Sequence, residues 1–283
     1  VLTHVNRVIL CRRHAIDMHT FPPWVMFVGT IVLVMITIEV GYRVGSLVHK
    51  YSREEMESPS SVVSQSVLSL TAFMLAFTFG IVANRFEVRK QLVREEANAI
   101  GTAWLRADFL PDRDRHESRK IMKDYVGSRL AVFELRFTET QIPAHFLSEA
   151  KQHHDRLWEI AVANANKDAS SQFVALYVDS VNEVIDIHAL RVAQGPGTRI
   201  PTAIWLVLLV LILLGMTASG YQAGIAGSKK PKSRPILAVA FALVIALVAD
   251  LDRPGGGVIG VSHQPMIDLH TSMADETSIS RRK

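Results

Sequence analysis

Residues 72–104 read AFMLAFTFGIVANRFEVRKQLVREEANAIGTAW. The first half is lipid-soluble, the second half is charged, and no turn residue separates them. Such a stretch predicts one helix that starts in apolar surroundings and continues into water. On a helix, residues three and four apart share a face. Ser66, Ser69, Phe73, Phe77, Gly80 and Asn84 follow that spacing, and Gln91, Glu95, Asn98 and Thr102 continue it. One stripe therefore passes from hydroxyls, through two phenyl rings, to amides and a carboxylate. A helix from Val62 to Ala107 would be about 65–70 Å long at the usual rise per residue. Acyl chains offer nothing to hydroxyls, amides or carboxylates, so this face is expected to look inward. Rings of phenylalanine from several subunits would make an apolar constriction able to gate by dewetting. The competing reading is close helix packing, in which Ser, Gly and Ala admit a neighbouring backbone and Phe fills the gaps.

Composition agrees with a mixed plan. The chain has 283 residues, 49% hydrophobic and 20% charged, with a mean hydropathy of +0.20. That is too apolar for an ordinary soluble protein and too charged for one wholly within a bilayer. The net charge of +4 and pI near 9.3 do not indicate nucleic acid, because basic residues are scattered and acidic ones lie among them. Four segments are predicted to span a membrane: Trp24 to Tyr42, Val62 to Ala83, Pro201 to Tyr221 and Ile236 to Ala249. A span needs about 20 apolar residues, so the fourth must recruit its flanks. Across the tight GSKKPKSRP loop, the third and fourth spans are expected to form a hairpin.

The expected fold is all-α, a polytopic membrane protein with four transmembrane helices. Its expected organisation is an N-terminal cytoplasmic segment (1–23), transmembrane helices 1 and 2 (24–84), and a cytoplasmic helical domain (85–199). Transmembrane helices 3 and 4 (200–250) and a C-terminal cytoplasmic tail (251–283) follow. Arg7, Arg12, Arg13, Arg85, Arg89, Lys90, Arg94, Arg191, Arg199 and Arg253 lie near span ends on the side shared by the termini and the central segment. Fewer basic residues, Arg43, Lys50, Arg53, Lys229, Lys230, Lys232 and Arg234, lie on the other. That excess predicts a cytoplasmic shared side. VLTHVNRVIL at the start is broken by His4, Asn6 and Arg7 and makes a poor signal peptide.

The central segment reads as amphipathic helices. Pro111 is expected to end the long helix and Asp112 to cap the next. Ile121, Met122, Tyr125, Val126, Leu130 and Phe133 return at helical steps, as do Phe173, Tyr177, Ser180, Val184, Ile187 and Arg191. Glu96 is expected to pair with Arg89, Lys90 or Arg94 on its own helix, and Glu39 with Arg43 four residues on. For Glu95, the same self-pairing stands beside a vestibule-lining role that would favour cations. In ADLDRPGGGVIG, Asp250 and Asp252 are expected to pair with Arg85, Arg89 or Arg253 as a structural lock at the membrane edge. Two aspartates are too few oxygens for calcium. Cys11 is alone, and the histidines are not at ligand spacing. Neither a phosphate-binding loop nor a nucleophile elbow is present. No metal, cofactor or catalytic role is expected. A membrane enzyme would need convergent ionisable groups that the sequence does not display.

FMLAFTFGIVANRF resembles the pore-lining second helix of bestrophins. EEANAIGTAWLRADFLP and ADLDRPGGGVIGVSHQP resemble more closely the bacterial bestrophin-like domain family, over roughly Trp24 to Leu269. The resemblance implies an α-helical ion channel of the inner membrane, a homopentamer whose second helices surround the pore and whose partners are the lipid bilayer and inorganic ions. It places Phe73 and Phe77 at neck positions. Ser69 falls where the family pattern favours an aliphatic residue, a departure from a three-ring neck. Bestrophins include anion- and cation-selective members, so selectivity does not follow. The alternative is a non-conducting membrane scaffold or sensor whose helical cytoplasmic domain binds a partner.

Overall fold

The computed structural model describes residues 22–51, 60–134, 143–194, 198–227, 234–253 and 257–280. Every regular element among them is helical. They are α1 (Pro23–Tyr51), α2 (Ser60–Arg106), α3 (Asp112–Glu134), α4 (Ala144–Lys167), α5 (Gln172–Ala193), α6 (Thr202–Ile225), α7 (Arg234–Leu251) and α8 (Gln264–Ser280), with a short 3₁₀ turn at Ala107–Phe109. The N-terminal residues through 21, Cys11 among them, the core of the GSKKPKSRP loop and Pro254 lie outside the described residues. Two compact units result: Val1–Ala83 with Ile200–Arg253, and Asn84–Arg199 with Pro254–Lys283.

The first unit holds four helices long and apolar enough to cross a membrane, α1, α6, α7 and the first half of α2. At 18 residues, α7 rises about 27 Å, slightly less than a typical hydrocarbon core. α1 makes the most extensive contacts in this unit, with α6 and then with α7, the latter a partner that loop length did not suggest. Glycine explains the α1–α6 seam. A Cβ on Gly41 would lie 2.1 Å from the Thr217 carbonyl oxygen, and one on Gly220 would lie 2.2 Å from that of Ile38. Gly45 and Gly224 repeat the approach one turn along. The two helices thus meet backbone to backbone through reciprocal small-xxx-small pairs, the contact that substitutes for a hydrophobic drive in lipid. Beside the seam, Glu39 accepts from Arg43 Nε at 3.0 Å and from Arg234 Nη1 at 3.2 Å, and Arg234 stacks over the Tyr42 ring at 4.4 Å. Glu39 therefore binds Arg43, as its spacing predicts, and also ties α1 to α7.

The second unit has its own core. Val93, Ile100 and Trp104 of α2 pack with Met122 and Tyr125 of α3, Leu157 of α4, Tyr177 and Val184 of α5, and Met266 and Met273 of α8. The segment expected to be a tail thus carries α8, which packs on α3. Pro111 ends the long helix as predicted, with Leu110 forced into extended backbone before it. Asp112, however, lies inside the first turn of α3 rather than capping it, and pairs with Arg115 at 2.6 Å. Ser171 caps α5 by accepting from the Val174 amide. Phe133 and Phe173, expected on buried faces, are largely exposed; Phe173 packs on Phe109 with centroids 5.2 Å apart.

Gly41→Ala is expected to force α1 from α6 and lower stability in detergent by about 1–3 kcal/mol, the usual cost of overpacking. Gly29→Ala, on the same helix with nothing within 4 Å of the added carbon, is expected to leave the melting temperature unchanged or slightly raised. Thermal unfolding of the two variants side by side checks the seam.

Candidate functional site

Two features of the described residues hold candidate functional side chains. The first is the long face of α2. Ser64, Thr71, Leu75, Thr78 and Val82 are buried within the first unit, where the Thr71 hydroxyl reaches the Leu211 carbonyl of α6 at 3.4 Å and Leu68 meets Gly215. Half a turn round the helix lies the predicted stripe. Phe73 and Phe77 are 66% and 59% exposed. Ser66, Ser69, Gly80 and Asn84 are exposed too, and nothing lies within 4 Å of where a Gly80 Cβ would be. The same face continues through Gln91 and Asn98, both exposed, and half-buried Glu95. Gln91 donates to Glu95 at 2.7 Å, while Lys90 and Arg94 pair with Glu87 instead.

The stripe is thus brought together on one line and, among the described residues, its phenyl rings are left uncovered. Only 22% of the apolar window of α2 is buried. Hydroxyl groups on this line are partly satisfied within the helix, as when Ser66 Oγ donates to the Val62 carbonyl at 2.7 Å. Phenyl rings and an open glycine remain.

At the end of α7, an acidic member of the expected lock holds a backbone group. Asp252, 2% exposed, accepts the backbone amide of Ile200 at 3.1 Å and 3.3 Å through its two oxygens. It satisfies a buried N–H just before α6 begins, a role that the spacing of carboxylates and arginines does not reveal. Asp250 is also buried, and the Arg253 amide donates to its carbonyl at 3.2 Å. Arg85 and Arg89, half-buried, belong to the second unit, whereas Asp250, Asp252 and Arg253 belong to the first.

The second feature is an ionic cluster inside the second unit that the sequence did not announce. Glu96 is fully buried, not paired along its own helix as expected. Tyr125 donates to its Oε1 at 2.6 Å, Arg129 Nε lies 3.4 Å from the same oxygen, and Arg191 Nη1 donates to Oε2. The Tyr125 oxygen also meets His188 Nδ1 at 2.9 Å. Tyrosine has one proton, and it goes to the carboxylate, so His188 donates from Nδ1 and keeps a lone pair on Nε2. His263 donates from Nδ1 to the Val261 carbonyl at 3.0 Å, leaving Nε2 toward Arg191 Nη2 at 3.4 Å. His154 rests against Tyr125 and His188, with centroids 4.9 Å and 4.7 Å away. Ionisable groups do converge, then, from five separate stretches of sequence, and linear spacing could not show it. Conspicuous polar residues on otherwise apolar faces, Glu96 and His188 above all, were the available signal.

Burial dominates the electrostatics. It pushes the Tyr125 hydroxyl up to about 12, with Arg129 pulling the other way, and brings Arg191 down to about 10. His154 falls to about 3, from burial first and then the charges of His188 and Arg129. His188 and His263 each fall to about 4 for the same leading reason. All three imidazoles are neutral at pH 7. With no water reaching Glu96, the carboxylate binds its own neighbours rather than a substrate. Among the described residues no group of three or more His, Cys, Asp or Glu is placed to hold a metal ion.

Glu96→Gln is expected to strand two buried guanidiniums and to cost about 3–5 kcal/mol in chemical unfolding, as breaking a buried ion pair does. The histidines add a pH dependence. Their folded pKa values lie below the unfolded value near 6.5, so the unfolded chain binds more protons between about pH 6.5 and 4. Stability is expected to be full above pH 6.5 and to fall as the solution is acidified through that window. A melting series from pH 7.5 to 4.5, shallower in His154→Phe, checks the sign.

Comparison with known proteins fits this geometry. The profile of the Bestrophin-like domain matches residues 31–266, spanning α1 to the start of α8. The crystal structure of a bacterial bestrophin homolog from Klebsiella pneumoniae superposes with a TM-score of 0.58 at 16% identity, covering 88% of this chain and 98% of that one. At that identity the likeness shows a shared fold. No curated protein sequence matches the chain. With four apolar helices of spanning length and a domain match over most of its sequence, the chain belongs to the bestrophin-like family.

Proposed function

We propose that this protein is an oligomeric ion channel of the inner membrane, without enzymatic activity, whose pore is lined by the stripe on α2. The observation that carries the proposal is the uncovered face itself. Phe73 and Phe77, with Ser66, Ser69, Gly80 and Asn84 above and below, are all exposed among the described residues. A stripe that is partly polar is unsuited to lipid, and a ring of subunits would enclose it. The two phenyl rings would form the apolar neck, and Gln91, Glu95 and Asn98 the vestibule. Likeness to a bestrophin homolog supports a ring assembly, with five copies expected from the family resemblance. The excess of arginine around residues 85–94 supports a cytoplasmic second unit.

Liposomes loaded with different salts and containing purified protein test conduction and selectivity together. The expected result is ion flux, increased severalfold by Phe73→Ala with Phe77→Ala as the dewetted neck widens. Absence of flux from both proteins, with a detergent-solubilised mass of one or two copies, would instead support a membrane scaffold whose second unit binds a partner.

A further inference from the structure

Between α4 and α5, behind the Glu96 cluster, the second unit has a cleft of about 760 Å³. It has no part in the proposed pore. Most of its wall is apolar, with Trp158 and Ile185 among the lining residues, but His154 and His188 line it too. His154 is 6% exposed, and its Nε2 has no hydrogen-bond partner. That atom is out of reach of solvent, but the His154 ring that carries it borders a space large enough for a ligand. His188, as its Nδ1 donates to Tyr125, presents a lone pair on its other nitrogen.

Charge narrows the class of occupant. Behind the imidazoles one carboxylate, Glu96, faces two guanidiniums, Arg129 and Arg191, which leaves this buried group with one positive charge in excess. Lys151 and Asp155 on the rim bind each other and cancel. A cation is therefore disfavoured, and a negative group is welcome, provided it brings a proton for the imidazole lone pair. We propose that this cleft binds a small organic acid with an apolar body, its carboxylate sharing a proton with Nε2 of His188 beside the His154 ring and its body lying on Trp158 and Ile185.

Binding then consumes one proton, taken from solvent and held between the carboxylate and an imidazole nitrogen. The titratable and charged groups around these two rings are Glu96 from α2, Tyr125 and Arg129 from α3, Lys151, His153 and Asp155 from α4, and Arg191 from α5. Tyr125 stays protonated throughout the accessible range. Binding is accordingly expected to tighten as pH falls from 8 to 6.

Isothermal titration of the full chain in lipid nanodiscs tests this with three probes: phenylacetate, its neutral analogue phenylacetamide, and acetate. The expected result is saturable binding of phenylacetate, at least tenfold tighter than either of the others and tighter at pH 6 than at pH 8. Ala189→Phe places a ring in the cleft from an exposed position and is expected to abolish binding without lowering the melting temperature. Equal binding of phenylacetamide, no saturable binding of phenylacetate, or unchanged binding in Ala189→Phe would each overturn the proposal. None of these readouts depends on whether the protein conducts ions.

Discussion

The structure depends on α2 remaining one uninterrupted helix from Ser60 to Arg106. An unbroken hydrogen-bond ladder satisfies every backbone group whether the surroundings are lipid or water. It also keeps side chains in phase over 47 residues, about 70 Å. Each unit takes in one face of its own half of α2: the face that packs on α6 in the first, and the face that enters the core in the second. Leu75 and Val82 belong to the first, Val93 and Ile100 to the second. Opposite the first of these faces, Phe73 and Phe77 stay exposed. A deletion of one residue within either half would turn the rest of that half by about 100° and carry its buried face away from its partners.

The two units are held by different physics. In the first, apolar side chains gain little from leaving lipid for one another, so close backbone approach through glycine and a carboxylate shared by two arginines take the place of burial. In the second, an apolar core of four helices with α2 does the work. That core surrounds a carboxylate and two guanidiniums. Such a cluster adds little net stability over an apolar replacement, but removing one member is expensive. Its consequence is specificity of register: Glu96, Tyr125, Arg129, His188 and Arg191 satisfy one another only if α2, α3 and α5 are aligned as they are.

What the sequence made legible follows from what is local. Spans declare themselves by length and apolarity, the stripe by a three- and four-residue rhythm, and the end of α2 by Pro111. Glu39 with Arg43 is an i to i+4 pair and was readable for that reason. Long-range pairing was not. Glu96 had three basic residues nearby on its own helix, yet it turns inward to Arg191, 95 positions away. That Asp252 holds the Ile200 backbone amide was not readable from the spacing of charges. α8 escaped because its apolar residues, Met266 and Met273, are sparse in a polar run, and their value appears only when α3 is beside them. Reciprocal glycines on α1 and α6 were visible singly but not as a pair.

Whether the open face of α2 meets water, acyl chains or another dry surface decides its function. The most direct measurement is the collision accessibility of spin labels at Ser69→Cys and Phe77→Cys in liposomes, with Cys11 replaced by serine. If the face surrounds an aqueous axis, both labels relax faster with a water-soluble nickel complex than with oxygen. Relaxation dominated by oxygen, or by neither reagent, would contradict a pore at this helix.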